Sequence, residues 1–219
     1  MVNPDYHNKV YEYINPDILS ILKYTFTSSN KKILDVGCGT GALGEALKKK
    51  GNIVYGIDIS KKSIEIAKKR LDKVVQIDLE TENKLPFKEA SFDLIIFGDV
   101  LEHFRDPLPV LKNIRKYLKK DGIIIISLPN IANWEIRLKL LFGKFNYQKE
   151  GILDDTHVRF FTLKTAKELI KKAGLRIIKI EARPGAPVPA RIFPKLKYAL
   201  SQVWKTLFAK GFVFIAEIK

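Results

Sequence analysis

The residues with the clearest chemical potential form a glycine-rich segment in the first quarter of the chain. Asp35 is followed by Gly37, Gly39 and Gly41 at alternate positions, and Cys38 lies inside the same run. Glycine lets a backbone turn tightly and approach a bound molecule closely, and the first N–H groups of a helix that follows point at that molecule. The segment therefore predicts a binding site for a nucleotide-like cofactor.

The glycine spacing fits two kinds of cofactor. Gly39, Gly41 and Gly44 match the G-x-G-x-x-G pattern of dinucleotide-binding proteins, so an NAD- or flavin-dependent oxidoreductase stays open. Asp35 argues against a dinucleotide, because its carboxylate would repel a pyrophosphate. It favours instead a cofactor that has an ammonium group. Cys38 occupies a position in the turn where a small residue is needed, so we do not expect a covalent mechanism at its thiol.

A second acidic residue, Asp58, ends the next apolar run of the chain. An acid at the carboxyl end of a second strand can accept hydrogen bonds from both hydroxyls of a ribose. We therefore predict that Asp58, with the adjacent Ile59, contacts the adenosine part of the cofactor.

These residues need a scaffold that brings them together, and the order of the elements supplies one. Apolar runs alternate with segments of helical periodicity, which predicts an α/β fold with a doubly wound, mostly parallel sheet. The first predicted strand begins near Ile33. The other six are Ile53–Asp58, Lys73–Ile77, Ser91–Asp99, Ile123–Leu128, Leu175–Ala182 and Phe212–Ile218. Ligands of such sheets bind beyond the carboxyl ends of the strands. The ends predicted to converge there are Gly37–Gly41, Asp58, Asp78, Gly98, Asp99, Pro129 and Asn130.

Three segments interrupt this rhythm within a single predicted domain, residues 1–219. Residues 1–30 are predicted to form a helical lead-in, with Asn15 and Pro16 starting a helix and Tyr6 and Tyr11 as candidates to line the pocket. Residues 131–161 form an apolar insertion that could act as a lid. Residues 184–210 contain a basic amphipathic helix before the last strand.

Helix caps add local detail to this arrangement. Ser60 is predicted to cap the helix after the second strand, and Asp106 with Pro107 to start the helix after the fourth. Thr165 and Glu168 have the spacing of a capping box for the last crossover helix.

Composition limits the classes of protein that remain. The chain has 219 residues, 46% hydrophobic and 29% charged, which is ordinary for one globular domain. Its first residues lack the layout of a signal peptide, and no apolar run approaches the roughly 20 residues that span a bilayer. One cysteine excludes an internal disulfide and fits a reducing compartment, so we expect a cytoplasmic protein.

The glycine loop with its leading acid resembles the cofactor loop of the class I S-adenosylmethionine-dependent methyltransferases. Phe92-Asp93, Leu101-Glu102-His103 and Asp121-Gly122 fall in that family's order, and the resemblance covers nearly the whole chain. The stretch from Asp155 to Thr162 is similar to the branch of ubiquinone-biosynthesis O-methyltransferases and MetW-like proteins.

The resemblance implies a fold and a cofactor. The fold is a Rossmann-like sheet of seven strands, the last one antiparallel and inserted beside the fifth. The cofactor is S-adenosyl-L-methionine, with Asp78 and Leu79 at the adenine amino group and Gly98 and Asp99 at the end of the fourth strand.

Methyl transfer to a hydroxyl of a small molecule needs a proton acceptor, and a histidine titrates near neutral pH. Among the three histidines we prefer His157 as general base or substrate ligand, with His103 as the alternative and His7 as a surface residue. Arg159 could hold a carboxylate or phosphate of the substrate through a bidentate pair. Glu102 is interpreted as a structural hydrogen-bond acceptor, and no metal site is predicted.

The net charge of +15 favours an anionic partner: a nucleic acid, a membrane surface or an acidic substrate. RNA methylation stays open but is disfavoured, because Gly98–Leu101 departs from the Asn/Asp-Pro-Pro-aromatic turn of base methyltransferases. Peripheral contact with the anionic inner face of a membrane is a second hypothesis, drawn from the basic amphipathic stretch. A regulatory protein that binds the cofactor without turnover is a third, and the sequence does not determine the oligomeric state.

Overall fold

Seven strands of the described chain form one sheet in the order β3-β2-β1-β4-β5-β7-β6. The computed structural model describes residues 12, 15–25, 29–189 and 191–219. The strands are β1 (Lys32–Val36), β2 (Ile53–Asp58), β3 (Lys73–Gln76), β4 (Phe92–Gly98), β5 (Leu118–Pro129), β6 (Leu175–Pro184) and β7 (Ala209–Ile218). Neighbours pair in parallel except β7, which is antiparallel to both β5 and β6. The predicted fold class is confirmed, including the position of the last strand beside the fifth.

Helices cover both faces of this sheet. They are α1 (Pro16–Thr25), α2 (Ala42–Lys48), α3 (Lys61–Ala67), α4 (Pro107–Arg115), α5 (Trp134–Leu141), α6 (Leu163–Lys172), α7 (Pro194–Val203) and α8 (Lys205–Phe208), with a 3-10 turn at Leu101–His103. Alternate residues of each central strand enter two separate cores, as the two-residue period of a strand requires. One core contains α1 and α2, and the other contains α4 and α6.

Several helix starts agree with the sequence predictions. Asn15 accepts hydrogen bonds from the backbone N–H groups of Asp17 and Ile18, so α1 begins at Pro16 as expected. The hydroxyl of Ser60 accepts from the N–H of Ser63 at the start of α3. Tyr6, His7 and Tyr11 lie outside the described residues.

The predicted capping box of α6 is wrong by one turn. The cap is Thr162, whose hydroxyl accepts from the N–H of Thr165, while the Thr165 hydroxyl accepts from the N–H of Thr162. Glu168 lies inside the helix rather than at its third position. A threonine at both positions satisfies the reciprocal pattern that the sequence had assigned to Thr165 and Glu168.

The single amphipathic helix predicted within residues 184–210 is two helices. Trp204 separates α7 from α8 with φ −110° and ψ 60°, outside the helical range. The chain must bend here because β7 starts at Ala209, whose carbonyl accepts from the side-chain amides of Asn130 and Asn133. Tertiary contacts therefore override a continuous helical pattern.

Candidate functional site

The glycine loop between β1 and α2 is bound to β2 through its backbone. The N–H groups of Gly37 and Cys38 both donate to the carbonyl of Ile57, at 2.8 and 3.0 Å. Gly37 has φ +68°, and a Cβ there would lie 2.4 Å from Cγ2 of Val100. A side chain at this position would clash in a conformation that L-residues avoid, so the loop can follow this path only with glycine.

Asp58 at the end of β2 holds the same loop with its carboxylate. Its two oxygens accept the backbone N–H groups of Gly39 and Ser60, each at 2.8 Å. Burial raises the pKa of Asp58 above its usual value, although these hydrogen bonds act in the opposite direction. Each carboxylate oxygen keeps a second lone pair, so Asp58 can still accept from a ribose hydroxyl.

Asp35 lies beneath the loop and is almost completely buried. Its Oδ2 has no hydrogen-bond partner among the residues that the structure describes. Burial, and then the negative charge of Asp58, raise its pKa to about 7. Two buried carboxylates in one region favour a cationic ligand group and oppose a pyrophosphate, which agrees with the choice of cofactor made from the sequence.

A pocket opens above this loop at the carboxyl ends of the strands. It is lined by Gly37, Ile57, Asp58, Ile59, Ile77, Asp78, Leu79, Glu80, Val100, His103 and Phe104. Five residues predicted for the cofactor, Gly37, Asp58, Ile59, Asp78 and Leu79, are among them. The sequence analysis missed Val100, Phe104 and Glu80, which follow the strand ends; the convergence of those ends is the signal that could have found them.

Four other predicted residues support the pocket without lining it. Cys38 is buried against β2, since a Cβ on Gly56 would lie 2.7 Å from its Sγ. Gly39 donates its N–H to Asp58, and Gly41 is the N-cap of α2 in a left-handed conformation. Gly98 at the end of β4 leaves room for Ile18 of α1. These residues shape the loop and its surroundings.

Asp99 belongs to a polar network that joins four elements. Its carboxylate accepts from Arg183 of β6 at 2.9 Å and from Asn15 at 2.6 Å, and its N–H donates to the Ser127 hydroxyl at 2.8 Å. Arg183 also pairs with Asp17 of α1 at 3.0 Å. Asp99 has φ +53°, a left-handed conformation that these bonds stabilise. Sequence reasoning missed Arg183, which is far from Asp99 along the chain.

The fold brings His103 and His157 together next to Glu102. The two imidazole rings are 5.0 Å apart, and Nε2 of His157 lies 3.8 Å from Oε1 of Glu102. Nδ1 of His103 faces the carbonyl of Thr156 at 3.2 Å, and Nδ1 of His157 faces that of Ile152 at 3.1 Å. Because a carbonyl can only accept, we assign the proton of each neutral ring to Nδ1, which makes Nε2 the basic atom.

Burial controls the charge of this cluster. It lowers the pKa of His103 to about 4, and the proximity of His157 acts in the same direction. Burial, and then the charge of Asp99, raise the pKa of Glu102 well above its usual value. Neither oxygen of Glu102 has a hydrogen-bond partner among the described residues, so Glu102 is not the satisfied structural acceptor that the sequence suggested.

The same three side chains could also hold a metal ion. One ligand atom from each of Glu102, His103 and His157 lies within 4.8 Å of the others. Two imidazoles and a carboxylate are a donor set that divalent transition metals accept. No close ligand spacing was visible along the sequence, because His157 comes from the insertion and only the fold brings it to Glu102 and His103.

Arg159 lies at the edge of this cluster. Its N–H and that of Val158 both donate to the carbonyl of Glu102, at 3.0 Å. Its Nε donates to the carbonyl of Arg105 at 2.6 Å. The structure thus brings the three residues predicted for catalysis, His157, His103 and Arg159, around Glu102.

Comparison with known proteins agrees with this geometry. Residues 6–180 match the family described as a methyltransferase domain. The chain belongs to the S-adenosyl-L-methionine-dependent methyltransferases. This membership decides between the two cofactors that the glycine spacing left open, in favour of S-adenosyl-L-methionine.

Relatives of this methyltransferase include enzymes of one biosynthetic class. It is 32% identical over 184 residues to the ubiquinone biosynthesis O-methyltransferase of Coxiella burnetii, covering 81% of this chain and 77% of that protein. It is 35% identical over 139 residues to the protein of the same name from Idiomarina loihiensis, covering 60% and 57%.

Solved structures show the same fold. A methyltransferase from Archaeoglobus fulgidus superposes with a TM-score of 0.67 at 21% identity, over 97% of this chain and 96% of that one. A Thermotoga maritima protein described as a possible histamine N-methyltransferase has a TM-score of 0.63 at 20% identity, over 92% and 87%. Likeness at this identity shows the fold alone, and a fold does not select the acceptor.

Proposed function

We propose that this methyltransferase transfers a methyl group to a hydroxyl of a small molecule, of quinone-precursor or sugar-like type and possessing a lipid tail. The observation that carries the proposal is the position of the Glu102, His103 and His157 cluster. His103 lines the cofactor pocket and also contacts His157, so a proton acceptor lies beside the methyl donor's site.

The residues of the chain divide the work as follows. S-adenosyl-L-methionine, when bound, supplies the electrophilic methyl group. Asp58 would accept from the ribose and Asp78 and Leu79 would border the adenine, since all three line the pocket. The buried carboxylate of Asp35 would compensate positive charge of the cofactor. His157 takes the proton of the acceptor hydroxyl at Nε2, since the Ile152 carbonyl holds its Nδ1 proton.

Two further observations support the acceptor class. Burial lowers the pKa of His103 to about 4, so His103 is neutral beside His157 throughout the physiological pH range. The named relatives are O-methyltransferases of ubiquinone biosynthesis, which supports a hydroxylated ring as the acceptor.

A matched pair of acceptors tests the proposal. Purified protein is incubated with labelled S-adenosyl-L-methionine and either dihydroxybenzoate or diaminobenzoate, and products are separated by mass. We expect methylation of the hydroxylated ring, with a rate that falls in a His157→Gln variant. Methylation of the amine alone, or an unchanged rate in that variant, would refute the hydroxyl acceptor or the proposed base.

We also propose that the protein contacts an anionic membrane surface through an apolar rim beside the site. The rim consists of the exposed side chains of α5 and α7 with their flanking loops: Leu138, Leu140, Leu141, Phe142, Ile192, Phe193, Leu196, Val203 and Trp204. Trp134 joins the two halves, since its indole N–H donates to the carbonyl of Gly185 at 2.7 Å. Lys144 and Lys195 lie on the same segments and are exposed.

The charge of the protein and the composition of the rim favour an anionic membrane as its binding partner. A net charge of +15 attracts anionic lipid, and aromatic and aliphatic side chains between lysines suit the headgroup boundary. No helix of the described residues has the length and apolar character to cross a bilayer, so the proposed contact is peripheral. An acceptor with a lipid tail could enter the site from such a surface.

Vesicle co-sedimentation tests this contact. The protein is mixed with phosphatidylcholine vesicles with or without phosphatidylglycerol, at low and high salt. We expect binding only with the anionic lipid at low salt, and loss of binding in Leu141→Asp, since Leu141 is 78% exposed on the rim. Ile53→Asp is the matched control, because Ile53 is 48% exposed at the other end of the sheet's strands. Equal binding of the two variants to the anionic vesicles would show that the rim does not contact the membrane.

A further inference from the structure

Two arginines beside the pocket are joined by a hydrogen bond from the side chain of Arg159 to the backbone of Arg105. Arg105 follows the pocket residue Phe104, and its N–H donates to the carboxylate of Glu80, another pocket residue, at 2.7 Å. The Nε of Arg159 donates to the carbonyl of Arg105 itself, at 2.6 Å. Both side chains are exposed.

Both backbones are anchored at this point. The N–H of Arg159 is bonded to Glu102 in the histidine cluster, and that of Arg105 to Glu80 at the cofactor pocket. The Nε contact uses one donor of the Arg159 guanidinium and orients its plane. The two terminal nitrogens of that group remain as a fork that fits a carboxylate or phosphate.

Neither of these two arginines forms an ion pair within the described part of the chain. Among the residues that the structure describes, no carboxylate lies within 4.0 Å of either guanidinium. Arg183, by contrast, is paired with Asp17 and Asp99, and Arg70 is paired with Glu12 and Glu45. A bound oxyanion would compensate the charge of the Arg159 guanidinium, whose Nε lies against the Arg105 carbonyl.

We infer that Arg105 and Arg159 form a subsite for an anionic group of the methyl acceptor, a carboxylate or a phosphate. Arg159 reaches it from the histidine cluster and Arg105 from the cofactor pocket, so an anion held between them would orient the acceptor toward both. This inference rests on the proposed function, and it narrows the substrate class to acceptors that have a negatively charged group. Arg105 is the new residue: no sequence pattern marked it.

A binding experiment with inorganic phosphate tests the subsite without turnover. Phosphate is titrated calorimetrically into protein saturated with S-adenosylhomocysteine, for the native chain and for Arg105→Ala and Arg159→Ala. We expect each substitution to weaken phosphate binding by at least about tenfold, as loss of a charge-assisted hydrogen bond does. The affinity for S-adenosylhomocysteine should not change, which also shows that the variants are folded.

Arg137→Ala is the matched control. Arg137 is likewise an exposed arginine whose Nε donates to a backbone carbonyl, that of Ala132, at 2.7 Å. The Arg137→Ala substitution also removes one positive charge, but at a residue that does not line the pocket. If Arg137→Ala weakens phosphate binding as much as the other two, or if none of the three does, the subsite is refuted.

Two further measurements show whether the anionic group belongs to a small acceptor or to a lipid headgroup. They also distinguish failure of the arginine subsite from failure of the proposed hydroxyl acceptor. Methylation of dihydroxybenzoate is compared with that of neutral dihydroxybenzamide, and vesicle binding is measured with phosphatidylglycerol. A raised KM for the acid alone in Arg105→Ala indicates an anion on a small acceptor, whereas lost vesicle binding indicates a lipid headgroup. Weaker phosphate binding in a protein that methylates only amines would support the subsite and refute the hydroxyl acceptor.

Discussion

The cofactor side and the proposed acceptor side of this site are built in opposite ways. On the cofactor side, the loop and Asp58 are close in sequence and are joined by backbone hydrogen bonds at the ends of adjacent strands. On the acceptor side, Glu102 and His103 follow β4, while His157 and Arg159 come from the insertion before α6. The insertion is attached through the Glu102 carbonyl and a bridge between Asn130 and Phe161.

The difference shows which half of the enzyme is free to vary. The cofactor loop follows a path that clashes with any side chain at Gly37, so its sequence is narrowly constrained. The proposed acceptor side instead joins Glu102 and His103 to an insertion distant along the chain, and such connecting segments vary more readily in sequence. Changes on one side should therefore leave the other largely intact, and the following predictions test this separation.

The largest expected effect concerns Asp35. Its pKa of about 7 in the folded protein exceeds the unfolded value of 3.8, so the folded state binds the extra proton in this window. Stability should then fall as pH rises from about 4 to about 7, by on the order of 4 kcal/mol in the cofactor-free protein. In Asp35→Asn this part of the pH dependence disappears. Urea unfolding at each pH gives the free energy of unfolding of both proteins. Parallel curves of that free energy against pH would contradict the raised pKa of Asp35.

His157→Gln should lower kcat by about a thousandfold, since a positioned general base contributes roughly two to four orders of magnitude. The dissociation constant of S-adenosylhomocysteine should stay the same, because His157 does not line the cofactor pocket. Steady-state kinetics and calorimetry measure the two quantities. A parallel loss of cofactor binding would show that the two sides are coupled.

Asp58→Ala should weaken binding of S-adenosylhomocysteine by about a hundredfold, from the lost contacts to the ribose and the released N–H of Gly39. Asp72→Ala is the control: Asp72 also accepts a backbone N–H, that of Val54 in β2, at 2.8 Å, but does not line the pocket. Calorimetric titration of both variants with S-adenosylhomocysteine measures the two affinities. Similar affinities in the two would remove Asp58 from the cofactor site.

The smallest effect concerns the cap of α6, which follows the acceptor-side insertion. Thr162→Ala should reduce the free energy of unfolding by about 1 kcal/mol, because the N–H of Thr165 in the first turn loses its acceptor. Glu168→Ala, at the position the sequence had favoured, should change it little. Urea unfolding compares them, and a larger loss in Glu168→Ala would restore the original capping box.

The cofactor side was largely predictable because its signals are local. Glycine at fixed offsets, an acid after an apolar run and caps such as Ser60 act within one or two turns of chain. The acceptor side was predictable only residue by residue: His157, His103 and Arg159 were selected from the sequence, but their meeting around Glu102 was not. Arg105 and Arg183 carry no local signal, and the break at Trp204 follows from contacts with β7.

By itself, the sequence determined the strands of the sheet and the glycine loop, because strand periodicity and turn chemistry are properties of neighbouring residues. The family was predicted from the resemblance of that loop to known methyltransferases. Only the tertiary structure decided the burial of Glu102 with no hydrogen-bond partner among the described residues, the pairing of Asp99 with Arg183 and the contact of Arg159 with the Arg105 carbonyl. Each of these joins residues from separate segments, and the docking of whole elements against one another sets their distances.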